Sequence, residues 1–379
     1  MIYLDYAAAT PVDASVLAAM LPHFTDNFAN PTSLHEAGRR ARSVIDMERA
    51  FLAEELQVEP FAVIFTGSAT ESCNLAIRGL AMSNSMGSRK RILISAIEHS
   101  AVLDAANSLA EFGFLIELIP VDVNGFVDLV ALGQMLGEDV LLVSIGLANN
   151  EIGVIQDLAV ISKLVKGSGA YLHTDATQAA QFLPLGLADL GVDLLSFGGG
   201  KIYGPKGVGV LAMRERLDLQ PIVYGGGQEF GLRSGTESVA LIVGLCEAYR
   251  GVLASREMEV GRLGRLAADF LAKIEQGVAD CYLTGNRERR LPNHLSFVIR
   301  DVEGESLLIR LSRRGVCVST GSACSSGSLK PSHVLEAIGV SEADQFSSLR
   351  ISMGRSTTEA ELERFLAILV EEVDELRQL

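Results

Sequence analysis

Apolar residues in the first two-thirds of the chain fall into short, nearly unbroken runs separated by stretches of helical spacing. The runs at 61–65, 91–95, 114–119, 140–145, 170–174 and 192–197 predict strands buried on both faces. Between them, 100–112, 129–136 and 158–165 repeat their apolar positions as amphipathic helices do. Strands alternating with such helices predict βαβ units, hence an α/β fold on a mostly parallel sheet flanked by helices. Beyond about residue 244 the rhythm changes. Helical runs at 238–253 and 256–276 precede strand-like segments at 293–299 and 349–353 and a closing helix at 359–377. The pattern predicts a large domain over 13–250 and a smaller α+β domain made of 1–12 with 251–379.

Composition narrows the classes. With 379 residues, 48% of them hydrophobic, much apolar surface has to be buried, part of it between subunits. No apolar run approaches the ~18 residues of a membrane span. The opening Met1-Ile2-Tyr3-Leu4-Asp5-Tyr6 has neither a basic stretch nor a cleavage site, so a cytoplasmic protein is expected. A net charge of −15 argues against nucleic acid and anionic membranes as partners. Five cysteines, an odd number without a Cys-x-x-Cys pair, predict reduced thiols with neither disulfides nor a metal site. Cys73, Cys246 and Cys281 lie in helix-like or strand-like settings, and Cys317, flanked by valines, reads as buried and inert.

Candidate chemistry centres on Lys201. It follows the 192–197 run in Gly198-Gly199-Gly200-Lys201-Ile202-Tyr203-Gly204-Pro205-Lys206-Gly207. An amine at a glycine-rich turn can hold a phosphate as a point charge, or form a Schiff base with an aldehyde such as that of pyridoxal phosphate. A nucleotide phosphate loop needs a hydroxyl residue after the lysine, and Ile202 stands there instead. His173-Thr174-Asp175-Ala176-Thr177-Gln178 ends the preceding run with an acid. A lysine and an acid on neighbouring strand ends match a pyridoxal phosphate site, one for the aldehyde and one for the ring nitrogen. Taken alone, the lysine segment leaves a plain solvated lysine open.

Three further segments have chemical character. Ser68 and Glu71, in Thr66-Gly67-Ser68-Ala69-Thr70-Glu71, are spaced as a capping box, and the amides of Ala69 and Thr70 at that helix start favour a phosphate. The alternative is a plain capped helix. Glu98-His99 follows another strand end, where an imidazole could stack on a cofactor or move protons, or could be structural. Cys324, in Gly321-Ser322-Ala323-Cys324-Ser325-Ser326-Gly327, is surrounded by small and hydroxyl residues, predicting a polar loop with an accessible thiol. Arg350, inside the apolar Ser348-Leu349-Arg350-Ile351-Ser352, needs an anion, either a ligand carboxylate or an internal Asp or Glu.

Taken together, these segments resemble the class V, fold-type I pyridoxal phosphate enzymes, and within them the NifS/IscS-type cysteine desulfurases. The resemblance runs from Tyr3-Leu4-Asp5-Tyr6 to Arg350-Ile351-Ser352-Met353-Gly354-Arg355. It rests on several blocks in order, including Ala69-Thr70-Glu71-Ser72, Glu98-His99 and Asn149-Asn150-Glu151-Ile152-Gly153. Asp175-Ala176-Thr177-Gln178, Lys201 to Gly207, Arg233-Ser234-Gly235-Thr236 and Gly321-Ser322-Ala323-Cys324 complete it.

The resemblance implies roles. Lys201 would carry the cofactor covalently and then move protons, Asp175 would keep the ring nitrogen protonated, His99 would stack on the ring, and Gln178 would bond its hydroxyl. Ala69 and Thr70 would bind the phosphate, with Thr236 supplied by the other subunit of a homodimer. Asn150 would touch the cofactor and, with Arg350, hold the carboxylate of L-cysteine. Cys324 would take the substrate sulfur, leaving L-alanine and a persulfide for a sulfur-acceptor protein in iron–sulfur cluster or thio-cofactor biosynthesis. Gly198 and Gly200 depart from the family, which usually has serine and histidine there near the phosphate. Gly67-Ser68 stands where Ser-Gly is usual. The chain stops at Leu379, without the extension by which some relatives dock a scaffold protein, so the acceptor stays open. Selenocysteine lyase, an aminotransferase, or a partner-dependent sulfur-trafficking subunit are the competing readings. The extended Ser/Gly loop around Cys324 argues against the first two.

Overall fold

The computed structural model describes residues 1–321 and 331–378. The chain enters through a two-residue strand, β1 (Ile2–Tyr3). A central sheet follows, built from β2 (Val63–Thr66), β3 (Arg91–Ser95), β4 (Leu115–Ile119), β5 (Val140–Ser144), β6 (Tyr171–Asp175), β7 (Leu194–Gly198) and β8 (Gly209–Met213). Its order is β2-β8-β7-β6-β5-β3-β4, and β8 alone runs against the others. The later strands are β9 (Cys281–Leu283), β10 (His294–Ile299), β11 (Val316–Cys317) and β12 (Ser348–Ser352). They make an antiparallel sheet β12-β10-β9 and a parallel pair β1-β11.

Strand alternation explains why the central sheet needs two covers. Ile64, Ile92, Leu142, Leu194 and Leu211 face one side, where they pack with the helical stretch after β2 and with the helix Ser100–Asn107. Val63, Phe65, Val143, Leu195 and Val210 face the other, against the helices Glu36–Leu56, Leu158–Ser168 and Val239–Gly277. Strands covered on both faces carry apolar residues throughout, and β2, β5, β7 and β8 are buried at every position. The fold is thus a mostly parallel sheet flanked by helices, with a separate small antiparallel sheet.

The structure corrects several readings of the sequence. The expected helices at 238–253 and 256–276 are one helix of 39 residues. Its first half is buried on several sides through Ile242, Leu245, Cys246 and Tyr249, while the second buries one stripe through Leu263, Phe270 and Ile274. That change of pattern looks like a break, yet no proline interrupts it, and Ser255 Oγ donates to the Gly251 carbonyl (2.7 Å) within the helix. The helix Ser100–Asn107 stops before the expected 112, with a separate 3₁₀ turn at Ala110–Phe112. Cys317 is half-buried.

A buried ion pair fixes the edge of the sheet beside β2. Arg49 donates from Nη1 and Nη2 to the two carboxylate oxygens of Glu229 (both 2.7 Å) and from Nη1 to the Val63 carbonyl (2.5 Å). The Phe65 amide donates to the same carboxylate (2.9 Å). The guanidinium also lies 4.9 Å from the Phe65 ring centroid and 5.0 Å from that of Phe230. These contacts hold Glu229 and Phe230 in the left-handed region, at φ of 49° and 57°, where non-glycine residues are rare. Arg49→Ala would leave the carboxylate buried and unpaired, and should destabilise the fold by about 3–5 kcal/mol in urea titrations. The apolar pair Arg49→Met with Glu229→Leu should recover most of that loss. A single Arg49→Ala variant within about 1 kcal/mol of the parent would contradict this account.

Candidate active site

A cavity of about 410 Å³ opens at the carboxyl ends of the parallel strands. It is lined by Ala69 and Thr70 after β2, His99 after β3, Asn150 after β5, Asp175 and Gln178 after β6, and Gly198, Gly200 and Lys201 after β7. Arg350 joins them from β12. The chain therefore gathers residues predicted from scattered segments onto one rim. Thr236 is exposed and is not part of this lining. Cys324 lies outside the described residues.

Lys201 closes a 3₁₀ turn, Gly199–Lys201, that leaves the end of β7. Its ammonium donates to the carbonyls of Ala7 (2.8 Å) and Ala8. Gln178 Nε2 donates to the same Ala7 carbonyl (3.0 Å), so the N-terminal segment holds both side chains at the cavity. Sequence reasoning missed this role of Ala7 and Ala8, because a main-chain acceptor leaves no mark on residue type.

Asp175 is set by its own strand end, where its Oδ1 accepts from the Thr177 amide (2.8 Å). Two residues earlier His173 bridges three strands, bonding Ser144 on β5 (2.8 Å) and Ser196 on β7 (3.0 Å). Burial lowers its pKa to about 4, so the imidazole is neutral and gives one ring nitrogen as donor and the other as acceptor. Cys73 lies below the same acid, and burial, then the Asp175 carboxylate, push its thiol well above the usual range. That thiol is inert, as its helical setting suggested.

The helix start after β2 is approached closely by two strands. A Cβ on Gly209 would sit 2.4 Å from the Ser68 carbonyl carbon, and one on Gly198 would sit 3.2 Å from the Ala69 amide nitrogen. At Gly209 only glycine lets the backbones meet this way, whereas a side chain at Gly198 would be tight. Gly200 similarly leaves room for Lys206, whose Cγ would lie 3.3 Å from a Cβ there. The expected capping box is half formed. Ser68 Oγ accepts from the Glu71 amide (3.1 Å), but the Glu71 carboxylate takes the Gly67 amide (2.9 Å) and pairs with Arg233 (2.8 Å).

His99 caps its helix by accepting at Nδ1 from the Ala101 amide (3.0 Å), which places the proton of the neutral ring on Nε2. Arg350 donates from Nη1 to the Asn150 carbonyl (3.1 Å) and from Nη2 to Asp5 (2.9 Å). The internal acid that the sequence left open is thus Asp5. Arg350 Nε is buried without a hydrogen-bond partner among the described residues, as is Thr177 Oγ1 at the same cavity. Behind the rim, burial raises Glu98 to about 8 although it accepts from the Gly146 amide (2.6 Å). Burial likewise raises Glu151 to about 7. The arrangement offers an amine for a carbonyl, a carboxylate for a basic ring nitrogen, amides for an anion and a guanidinium for a carboxylate.

The raised carboxyls carry a pH signature. Glu98 at about 8 lies above its ordinary 4.5, so the folded state keeps a proton that the unfolded state has lost. Stability must then fall as pH rises through that interval. His173 and His294, lowered to about 4 and about 3, act oppositely, but their contribution is complete above their ordinary 6.5. From about pH 6.5 to 8 the carboxyls set the slope. Glu98→Gln should gain about 2 kcal/mol on the parent across that interval, at ~1.4 kcal/mol per pH unit. Urea titrations at the two pH values would reject this if the slopes were equal.

The chain matches the pattern of the family described as "Aminotransferase class-V" over residues 2–365. It is 43% identical over 378 residues to a protein of Dictyoglomus turgidum named cysteine desulfurase IscS, covering 100% of this chain and 96% of that one. The solved structure of a NifS-like protein superposes with a TM-score of 0.92 at 34% identity, covering 99% of both chains. SspA in complex with cysteine superposes at 0.82 and 33% identity, over 93% of this chain and 99% of that one. A lysine and an acid at adjacent ends of a mostly parallel sheet, and a pattern matched along nearly the whole length, make this chain a member of the class V aminotransferase family.

Proposed function

We propose that the protein is an L-cysteine desulfurase that works as a homodimer in the cytoplasm. The observation that carries the reading is the convergence of Lys201, Asp175 and Arg350 on one cavity. The desulfurase name of the Dictyoglomus relative and the cysteine bound by SspA support the substrate. No helix among the described residues is long and apolar enough to cross a membrane.

The residues fit pyridoxal phosphate. Thr177 Oγ1 is a buried polar atom with no hydrogen-bond partner among the described residues, and Gly209 leaves a cradle against the helix start that a Cβ would fill. Lys201 would hold the aldehyde end, Asp175 the ring nitrogen, Gln178 the ring hydroxyl and His99 a ring face. Ala69 and Thr70 would take the phosphate from their amides beside Gly198 and Gly200, with Thr236 reaching it from the second subunit. When bound, the group supplies an electron sink that labilises the bonds around the substrate's α- and β-carbons.

Lys201, once its amine is freed, moves protons at the substrate carbon. Its two carbonyl partners, Ala7 and Ala8, hold the amine at the cavity. His99 has a proton to give at Nε2. Arg350 and the Asn150 side chain orient the substrate carboxylate, with Arg350 Nε a donor that has no partner among the described residues. Cys324 accepts the sulfur: L-cysteine and the thiol become L-alanine and a Cys324 persulfide. An acceptor thiol on a scaffold or carrier protein then takes the outer sulfur, toward iron–sulfur clusters or thio-cofactors.

Purified protein given pyridoxal phosphate, L-cysteine and a reductant should release alanine and sulfide in equal amounts. Cys324→Ala should keep the cofactor absorbance yet release no sulfide above the free-cofactor background. Borohydride reduction followed by peptide mapping should find the cofactor on Lys201, and finding it on Lys206 would refute the assignment. Arg350→Ala should raise KM for cysteine about tenfold or more, since a charge-assisted contact is worth roughly 1.5–3 kcal/mol. Unchanged saturation would remove Arg350 from substrate binding.

A further inference from the structure

Glu151 is a buried acid just behind the rim, and it does not line the cavity. Its turn is fixed by Asn149, whose Oδ1 accepts from the amides of Glu151 (2.8 Å) and Ile152 (2.9 Å) and whose Nδ2 donates to the Ile97 carbonyl (2.7 Å). This aims the carboxylate at the two described ends of the segment that bears Cys324. On one side, the Ser332 hydroxyl donates to Glu151 Oε2 (2.5 Å) while capping the helix His333–Ala337. On the other, Gly321 packs so closely that a Cβ there would lie 2.6 Å from the same oxygen.

Neighbouring bonds run in the same direction. The Gly321 amide donates to Ser348 Oγ (3.3 Å), and Ser319 and Arg350 exchange backbone bonds (2.7 and 3.2 Å). His333 Nε2 donates to the Glu98 carbonyl (2.9 Å), next to His99. The charge of Arg350 acts on the Glu151 carboxyl as well, after burial, which raises it, and the Ser332 bond, which lowers it.

We infer that Glu151 is a positioning residue for the sulfur-accepting thiol: its carboxyl group holds the Ser332 hydroxyl and packs closely beside Gly321, and so orders the two described residues that flank the segment carrying Cys324. The inference rests on the desulfurase reading. Glu151 touches neither substrate nor cofactor; it acts through Cys324. Substrate capture, which uses Arg350 and Asn150, should therefore survive its loss, while sulfur transfer should not.

The test uses the cofactor-loaded enzyme with L-cysteine and a reductant, following alanine formation. Glu151→Gln and Ser332→Ala, which alter the single Glu151–Ser332 bond, and Gly321→Ala, which would set a methyl group against Glu151 Oε2, should each lower kcat on the order of tenfold. KM for cysteine and the bound-cofactor absorbance should stay as in the parent. Because Glu151 and Ser332 share one contact, Glu151→Gln with Ser332→Ala should be no slower than the slower single variant. Parent-like kcat in Ser332→Ala and Gly321→Ala, additive losses in the double variant, or a raised KM at unchanged kcat would overturn the inference. If Glu151→Gln does not fold, the other two variants decide the matter. A parent enzyme that makes no alanine would overturn the desulfurase reading itself, whereas an active parent with indifferent variants would overturn only this role of Glu151.

Discussion

Irregular backbone inside a protein has to find hydrogen-bond partners, and residues 4–10 meet that demand by stitching the small sheets to the cavity. The Ser352 amide donates to the Leu4 carbonyl (2.8 Å), and the Leu4 amide donates to the Cys317 carbonyl (2.8 Å). The Ala7 amide takes Ser352 Oγ (2.8 Å), while its carbonyl receives Lys201 and Gln178. The Thr10 amide goes to the Gly200 carbonyl (3.1 Å), and Thr10 Oγ1 accepts from the Tyr203 amide (2.8 Å). Asp5 adds the ion pair with Arg350. Lysine turn and arginine strand are thereby referred to one short piece of chain, and the distance between the two reactive ends of the cavity is set by backbone geometry.

The cavity is also a place where charge is managed by burial. Glu98 and Glu151 are kept from ionising easily, and His173 and His294 are kept neutral. His294 donates from Nε2 to the Asn150 carbonyl (3.0 Å), the same atom that receives Arg350, so a neutral ring avoids placing a second cation beside the guanidinium.

How much of this was legible in the sequence follows from where each signal is stored. Strands buried on both faces appear as apolar runs, so β3 to β7 were found within a residue or two. β8 was not, because Gly209-Val210-Leu211-Ala212-Met213 follows a glycine-rich loop and has no helix before it to announce a strand. Lys201 and Asp175 stood out as charges directly after such runs. Asp5 and Arg350 could be named but not paired, since their contact spans the whole fold. Glu151 stood inside a block of the resemblance without a role of its own, and Ser332 was not singled out, because their contact is a matter of burial and mutual approach. Thr236 is exposed and does not line the cavity of this chain, so the structure of one chain gives it no place there.

The parallel pairing of Ile2 with Val316 and Tyr3 with Cys317 sets an order on assembly. The β7–β8 turn joins neighbours in sequence and is available as soon as that stretch has been made. The N-terminal strap is the first part of the chain to leave the ribosome, yet its partners on β11 and β12 are among the last. During synthesis Lys201 therefore emerges into a half-built pocket whose Ala7 and Ala8 acceptors lack their anchors on β11 and β12, with only the Thr10 bonds to Gly200 and Tyr203 to hold them. The cavity takes its final shape only when β11 and β12 reach back to the strap at residues 2–7.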